Sequence, residues 1–366
     1  MFISKKSFAA ILLSIGFLSV SSVMATNNKD AKPTVLNDNY LATANRIRSN
    51  YDSNYVRLSG SAQNHYAVRM YRLTGETYYA QQSATEVYQI TDKLNYYLEN
   101  LQSAAWRDEK SKTMIDALPN TRRGKLRQKA FKDSADKRFA LYLVYKMAKL
   151  NEYGIKHPGH EKFIAYLKQV KLHDLLMSAD FIHAYAAQVA NYVYWLKYID
   201  VVDWTADLKP AFEHAYPDDK DEQLSKNEFN NKLYGLTHIV LADSNYYQKN
   251  VSATEHAWIL DYFAMRQQRI IEHSKEDIQA EIGLCFLLAS LDDHHTLTAM
   301  KKTISEAVHP VKNMVLSISG SDNLSSGEHR NVLAFALLNW PKTLHQGPYL
   351  MKDKKMKANL PLVYQQ

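Results

Sequence analysis

A chain of 366 residues is long enough for one large domain or two ordinary ones, and its single cysteine, Cys285, excludes an internal disulfide, so the fold must rest on its core. The 45 lysines and arginines against 38 acids leave a formal charge of +7, a mild excess that, with the export signal below, argues against nucleic acid as a partner.

Lys5 and Lys6 precede an apolar stretch from Phe8 to Val20, and Val23-Met24-Ala25 follows with residues small enough for cleavage before Thr26. This is the three-part pattern of a secretory signal, so residues 1–25 read as a signal peptide and the mature chain as soluble. About thirteen apolar residues fall short of the ~20 that span a bilayer, although an uncleaved anchor is the other reading of the segment. An exported chain without disulfides suits the bacterial periplasm, with secretion beyond it as the alternative. No later segment has the uninterrupted apolar length of a membrane span.

Beyond the signal, glycine and proline are scarce, β-branched alternation is nearly absent, and apolar residues recur at spacings of three and four. The expected fold class is all-α. Gly75, Gly154 and Pro341 read as helix stops, and Ser225-x-x-Glu228, Ser252-x-x-Glu255 and Ser325-x-x-Glu328 as capping boxes. The helices then fall in six pairs: 38–58 with 62–74, 76–103 with 130–153, 160–170 with 178–201, 205–216 with 225–247, 253–273 with 275–292, and 295–308 with 327–340. An insertion occupies 102–127, and the tail 341–366 offers little for a core. The densest basic run, Arg122-Arg123-Gly124-Lys125-Leu126-Arg127-Gln128-Lys129, reads as a solvated helix face in preference to an anion-binding patch.

In each pair the second helix is the more apolar, as in Ile278–Ala289 and Val332–Leu338, so the second helices are expected to form an inner wall. Six pairs favour closure into one (α/α)6 ring over residues 26–366; an open α-solenoid would give the same rhythm.

His65-Tyr66-Ala67-Val68-Arg69-Met70-Tyr71-Arg72-Leu73-Thr74-Gly75-Glu76 resembles a helix-turn-helix segment of α/α-toroid enzymes that act on glycans. Lys232-Leu233-Tyr234-Gly235-Leu236-Thr237-His238 and Lys275-Glu276-Asp277-Ile278-Gln279-Ala280-Glu281 are similar to segments of toroid proteins without an assigned activity. The whole chain resembles a gammaproteobacterial family of exported proteins known only as a domain of unknown function. What the resemblance implies is a ring of helix pairs with its ligand near the N-terminal ends of the inner helices, and no catalytic signature is carried over with it.

First turns of the inner helices offer free N–H groups to anionic or hydroxyl-rich ligands. His65 and Arg69, Asp180 and His183, and His329 and Arg330 stand there and are the expected substrate-binding residues, beside Asn64, Asp136, Arg138, Asn230, Asn231 and Glu328. Asp277 and Glu281 lie four apart on one helix face. Glu281 stands in a strongly apolar helix, so it must be paired, protonated or working. With His238, these two carboxyls are the candidate acid/base groups, and a buried hydrogen-bonded histidine is the plainer reading of His238. Asp292-Asp293-His294-His295 has metal-ligand types but no metal-ligand spacing, so no metal is expected, nor any cofactor. Cys285 reads as a core thiol. The 25 tyrosines and five tryptophans suit both sugar rings and helix packing. The sequence thus points to a glycan-active hydrolase or lyase, with a non-catalytic glycan-, peptide- or protein-binding toroid as the alternative and the oligomeric state open.

Overall fold

The three-four rhythm becomes helix throughout: a computed structural model describes residues 40–365, and eighteen helices account for most of them. The expected signal, residues 1–25, lies outside the described residues. The protein is all-α, with one antiparallel pair of two-residue strands among the described residues, Val308–His309 against Met314–Val315.

In chain order, α1 (Tyr40–Ser53) is followed by α2 (Gly60–Thr74), α3 (Thr77–Gln81) and α4 (Ser83–Asn100). The insertion forms α5 (Ala104–Asp116) and α6 (Arg122–Lys129) before α7 (Lys137–Glu152). Next come α8 (His160–Gln169), α9 (His173–Leu176), α10 (Ala179–Tyr198), α11 (Leu208–Ala215) and α12 (Lys226–Asp243). The chain continues through α13 (Ala257–Met265), α14 (Gln267–His273), α15 (Glu276–Leu288), α16 (His295–Ala307) and α17 (Leu324–Leu338) to α18 (Lys354–Lys357).

Second helices carry the core. Every residue of α15 from Ile278 to Leu288 is buried, whereas its neighbour α16 buries only Thr296, Leu297, Met300 and Ile304. A helix buried all round needs partners on several sides, and α15 has them in α12, α16 and α17. Packing runs from α2 to α17, α17 to α15, α15 to α12, α12 to α10, α10 to α7, α7 to α4 and α4 back to α2, so the neighbour order returns to its start. Gly283 and Gly235 permit the closest of these approaches. A Cβ on Gly283 would stand 2.5 Å from Leu337 of α17, and one on Gly235 would stand 2.3 Å from Phe212 and 2.8 Å from Ala186 of α10.

Three sequence expectations need correction. Ser225 and Glu228 do form a capping box on α12, but Ser325 and Glu328 do not cap α17. Asn323 caps that helix, accepting from Ser326 N at 2.9 Å, while Glu328 turns inward and is 3% exposed. At Ser252 the hydroxyl accepts from Glu255 N, yet only turns follow until Ala257. The tail, expected to stay out of the core, buries Leu350, Leu360 and Tyr364 and presents the Gly347 carbonyl to Arg72. Arg72, 1% exposed, spends its guanidinium on that carbonyl at 2.8 Å, the Tyr246 carbonyl at 3.2 Å and Glu152 of α7 at 3.3 Å. The C-terminal ends of α2, α7 and α12 are thereby tied to the tail. No helix among the described residues is long and apolar enough to cross a membrane.

Candidate functional site

Four helices aim polar side chains at one place. On α12, Tyr234, Thr237 and His238 follow the three-four spacing of a single face, and on α15 Asp277 and Glu281 do the same. These two faces meet: Tyr234 hydroxyl donates a short hydrogen bond to Asp277, and Thr237 hydroxyl donates to Glu281 Oε2 at 2.7 Å. From α17, His329 places Nε2 3.6 Å from Glu281 and Nδ1 3.8 Å from Asp277. His65 on α2 lies 2.7 Å from Glu328, with its ring 5.3 Å from that of His329.

His238 faces the same carboxyl, Nε2 3.7 Å from Glu281 Oε1. Its other nitrogen lies 3.1 Å from Asn191 Oδ1, which also accepts from Tyr246 hydroxyl at 2.5 Å. Nδ1 also lies 3.1 Å from the Tyr246 hydroxyl, whose proton goes to Asn191 Oδ1, so both neighbours offer Nδ1 only lone pairs. Nδ1 then carries the ring proton and Nε2 presents its lone pair to Glu281. Tyr246 reaches this position because Asn245, Tyr246 and Tyr247 all take left-handed backbone angles, with φ of 50°, 55° and 71°. Non-glycine residues in that region are strained, and three in succession persist only where surroundings over-determine them. Here the Arg72 bond to the Tyr246 carbonyl and the bond from Tyr246 N to the Leu241 carbonyl at 2.8 Å hold the turn.

Burial governs the protonation states. It raises Glu281 to about 8, with Asp277 pushing the same way and the Thr237 hydroxyl and Arg69 opposing. It also raises Glu328 to about 8 against the pull of Arg69. Burial holds His238 down near 3, helped by the positive charges of His329 and Arg69, and sets His65 well below its ordinary value. His329 is drawn to about 4 for the same reason, but more than a third of its side chain is accessible, so water offsets part of that shift. At neutral pH the cluster is therefore two protonated carboxyls among neutral imidazoles. Arg69 supplies the cation. Its guanidinium lies 5.7 Å from the Tyr246 ring and donates to the His65 carbonyl at 3.5 Å, and its buried Nε has no partner among the described residues.

Of the nine residues expected as catalytic or substrate-binding, Glu281, Asp277, His238, His65, Arg69 and His329 converge, and three do not. Arg330 turns to the strand pair and donates to the Val315 carbonyl at 3.2 Å. Asp180 is exposed on the first turn of α10. His183 bonds the Ala215 carbonyl at 2.6 Å and meets the Tyr216 ring edge-on, which fixes the α10–α11 junction. Of the residues named beside these nine, Asn230 donates to the Lys226 and His273 carbonyls, and Asn231 to the Ile182 and His183 carbonyls. Sequence reasoning placed Glu328 among the ligand-facing first-turn residues but left Tyr234, Thr237, Asn191 and Tyr246 out of the site. Tyr234 and Thr237 carried a legible signal in their spacing from His238; Tyr246 depends on a left-handed turn that Asn245 opens but that two tyrosines, which do not favour such angles, continue.

His294 stacks on Phe286 at 4.5 Å and accepts from Thr296 N, and among the described residues no three His, Cys, Asp or Glu side chains gather as metal ligands. Cys285, one turn after Glu281, is buried with its thiol toward the Thr237 carbonyl. Two surface hollows of about 410 and 370 Å3 lie elsewhere and contain none of the clustered side chains.

Residues 40–366 match the profile of a family described as a domain of unknown function, DUF3541. The chain belongs to DUF3541. No curated protein and no solved structure matches it at a significant level. The DUF3541 match spans all the described residues, so the polar cluster lies within the family domain and not on an appended segment.

Proposed function

We propose that this DUF3541 chain is a periplasmic α/α-toroid that cleaves glycosidic bonds, with Glu281 as the proton donor. The ring reading is supported by the neighbour order that returns from α17 to α2, and the periplasmic reading by the N-terminal signal pattern. One observation carries the chemistry: a carboxyl that burial keeps protonated to about pH 8, bonded to Thr237 at 2.7 Å and facing two imidazoles.

Hydrolysis and elimination of a glycoside both require a proton for the departing oxygen. Glu281 supplies it in either case. Asp277, one helical turn away and across His329 from Glu281, is the second carboxyl that hydrolysis needs to activate water. Elimination would need His238 to take a proton from carbon, and an imidazole held near 3 is a weak base for that task, so we favour hydrolysis. Arg69 and His65 are placed to orient the sugar through donors that the fold leaves unspent.

The test is incubation of the chain from Thr26 with a panel of glycans, followed by mass spectrometry. Fragments carrying an added water support the hydrolase, and unsaturated fragments support elimination at the same site. Glu281→Gln should abolish turnover while glycan binding persists. A protein that binds glycans without altering any would instead be the non-catalytic toroid, whose hydrogen-bonding needs the neutral imidazoles and Arg69 also meet.

A further inference from the structure

A second group of cations lies outside this cluster, and its charges are unanswered. Arg138, at the start of α7, is 3% exposed; its side chain makes no hydrogen bond or ion pair among the described residues, and its buried Nε has no partner. Its guanidinium carbon lies 5.6 Å from the Phe131 ring. An isolated buried charge is costly, and folds place guanidinium groups in such positions with a carboxylate beside them. None is beside this one.

Two more arginines come from the run that the sequence suggested was a solvated face. Arg127 lies 4.7 Å from the Tyr185 ring and donates to the Ala184 carbonyl and to Gln188 Oε1, both at 3.3 Å, so all its partners are neutral. Arg123 is half-buried, and its side chain has no hydrogen bond or ion pair among the described residues. Tyr185 joins the three. Its ring stacks on Phe181 at 4.8 Å and meets Phe131 edge-on at 5.7 Å, and its buried hydroxyl also lacks a partner. The charges of Arg138, Arg127 and Arg123 all act on that hydroxyl, opposing the effect of burial. Arg123 also acts on Tyr234, the residue that holds Asp277. Asn231, one turn before Tyr234 on α12, donates to the Ile182 and His183 carbonyls beside Tyr185, so the part of α10 that carries Tyr185 packs against the helix that carries Tyr234.

The local backbone is adapted to this arrangement. Helix α10 breaks at Tyr185, with φ −141° and ψ 31°, and the carbonyls around the break are taken by side chains: Ile182 and His183 by Asn231 at 3.3 and 3.0 Å, and Ala184 by Arg127. The kink thus fixes both Tyr185 and one of the arginines.

We propose that Arg123, Arg127, Arg138 and the Tyr185 hydroxyl form an anion-binding site that takes a carboxylate or sulfate group of an acidic glycan. Guanidinium groups suit both groups through paired N–H donors, and a phenol adds a third direction of donation. The site itself stands on the unpaired arginines, while its service as a subsite of the cleaved glycan rests on the function proposed above.

Binding would be measured by calorimetry with three probes of equal length: an oligogalacturonate, a carboxylate-free sulfated carrageenan oligosaccharide and a neutral cello-oligosaccharide. The protein should bind at least one acidic probe at least tenfold more tightly than the neutral one, and the preferred acidic probe tells carboxylate from sulfate. Arg123→Gln with Arg127→Gln should remove most of that preference and leave neutral binding unchanged. Arg138→Met adds a readout that a structural arginine would not give: thermal stability should hold or rise, and the rise in Tm on adding the acidic probe should disappear. Equal binding of acidic and neutral probes, no binding of either acidic probe, or an acidic preference untouched by the arginine variants would overturn the site. Acidic binding that depends on the arginines, without turnover of any glycan, keeps the anion site and removes the hydrolase. Turnover of an acidic glycan and acidic binding that are both indifferent to the arginine variants remove the anion site and keep the hydrolase.

Discussion

Thr237 and Glu281 join α12 to α15 through one hydrogen bond of 2.7 Å, and both side chains are at most 1% exposed. The hydroxyl favours the ionised carboxyl and so pulls Glu281 down, against the burial that raises it to about 8. Thr237→Val keeps the shape and removes the donor. The alkaline limb of the activity profile, expected near pH 8, should then move upward. A pH–rate profile checks this, and a limb that stays put or moves down would show that Glu281 is not the group being titrated.

Stability should have a maximum on the acid side of neutrality. Glu281 and Glu328 rise from 4.5 to about 8 on folding, so the native state holds more protons than the unfolded state in that window and stability falls as pH rises through it. His238 and His65 fall from 6.5, the former to about 3, so the native state holds fewer protons there and stability falls as pH drops below 6.5. The two trends oppose each other between about 4.5 and 6.5, leaving the carboxyls alone to act from 6.5 to 8. Urea unfolding at a series of pH values should show the decline above 6.5, and Glu328→Gln should flatten it. A steeper decline in the variant would mean that the native Glu328 is ionised and paired with His65.

Arg72 is the structural counterpart of Arg69, one turn further along α2. It is fully engaged, with Glu152, Gly347 and Tyr246 as partners, where Arg69 has donors to spare. Arg72→Met should destabilise the fold by about 3–5 kcal/mol, because Glu152 and two carbonyls lose their donor. Lys149, 3.1 Å from Glu152, answers part of that charge and places the cost toward the lower figure. Arg69→Met should change stability far less and reduce glycan binding. Equal losses of stability in denaturant titrations of the two variants would contradict the division of roles.

Much of this was legible in the sequence, for identifiable reasons. Helix spacing alone puts Asp277 with Glu281 on one face and Tyr234 with His238 on another, and strongly apolar neighbours such as Ile278, Ile282 and Leu284 show that the first face is buried. What spacing does not provide is the partner across an interface. Glu328 reads as a capping residue until Asn323 is seen to cap α17, which frees Glu328 to meet His65. Arg127 reads as a surface residue because its own helix is polar all round. Its neighbours, Ala184 and Gln188, belong to a different helix at a kink that no proline or glycine marks.

Gly235 gives the most direct test of whether helix approach sets the site. Ala186 Cβ, 2.8 Å from where a Cβ on Gly235 would lie, is fixed to the α10 backbone and cannot swing aside, and Phe212 Cε1 lies nearer still. Gly235→Ala must therefore push α12 away from α10, at a cost of about 1–3 kcal/mol. Tyr234, Thr237 and His238 flank that position, so the same shift displaces them from Asp277, Glu281 and Asn191. Turnover should fall by more than the small unfolded fraction explains, in protein that remains helical by circular dichroism. Gly60→Ala supplies the control: nothing lies within 4 Å of its Cβ position, so it should stabilise α2 by about 0.5–1 kcal/mol and leave turnover unchanged. If Gly235→Ala lowers stability and yet leaves activity intact, the polar cluster tolerates a change in helix separation, and the acid/base assignment built on its distances fails.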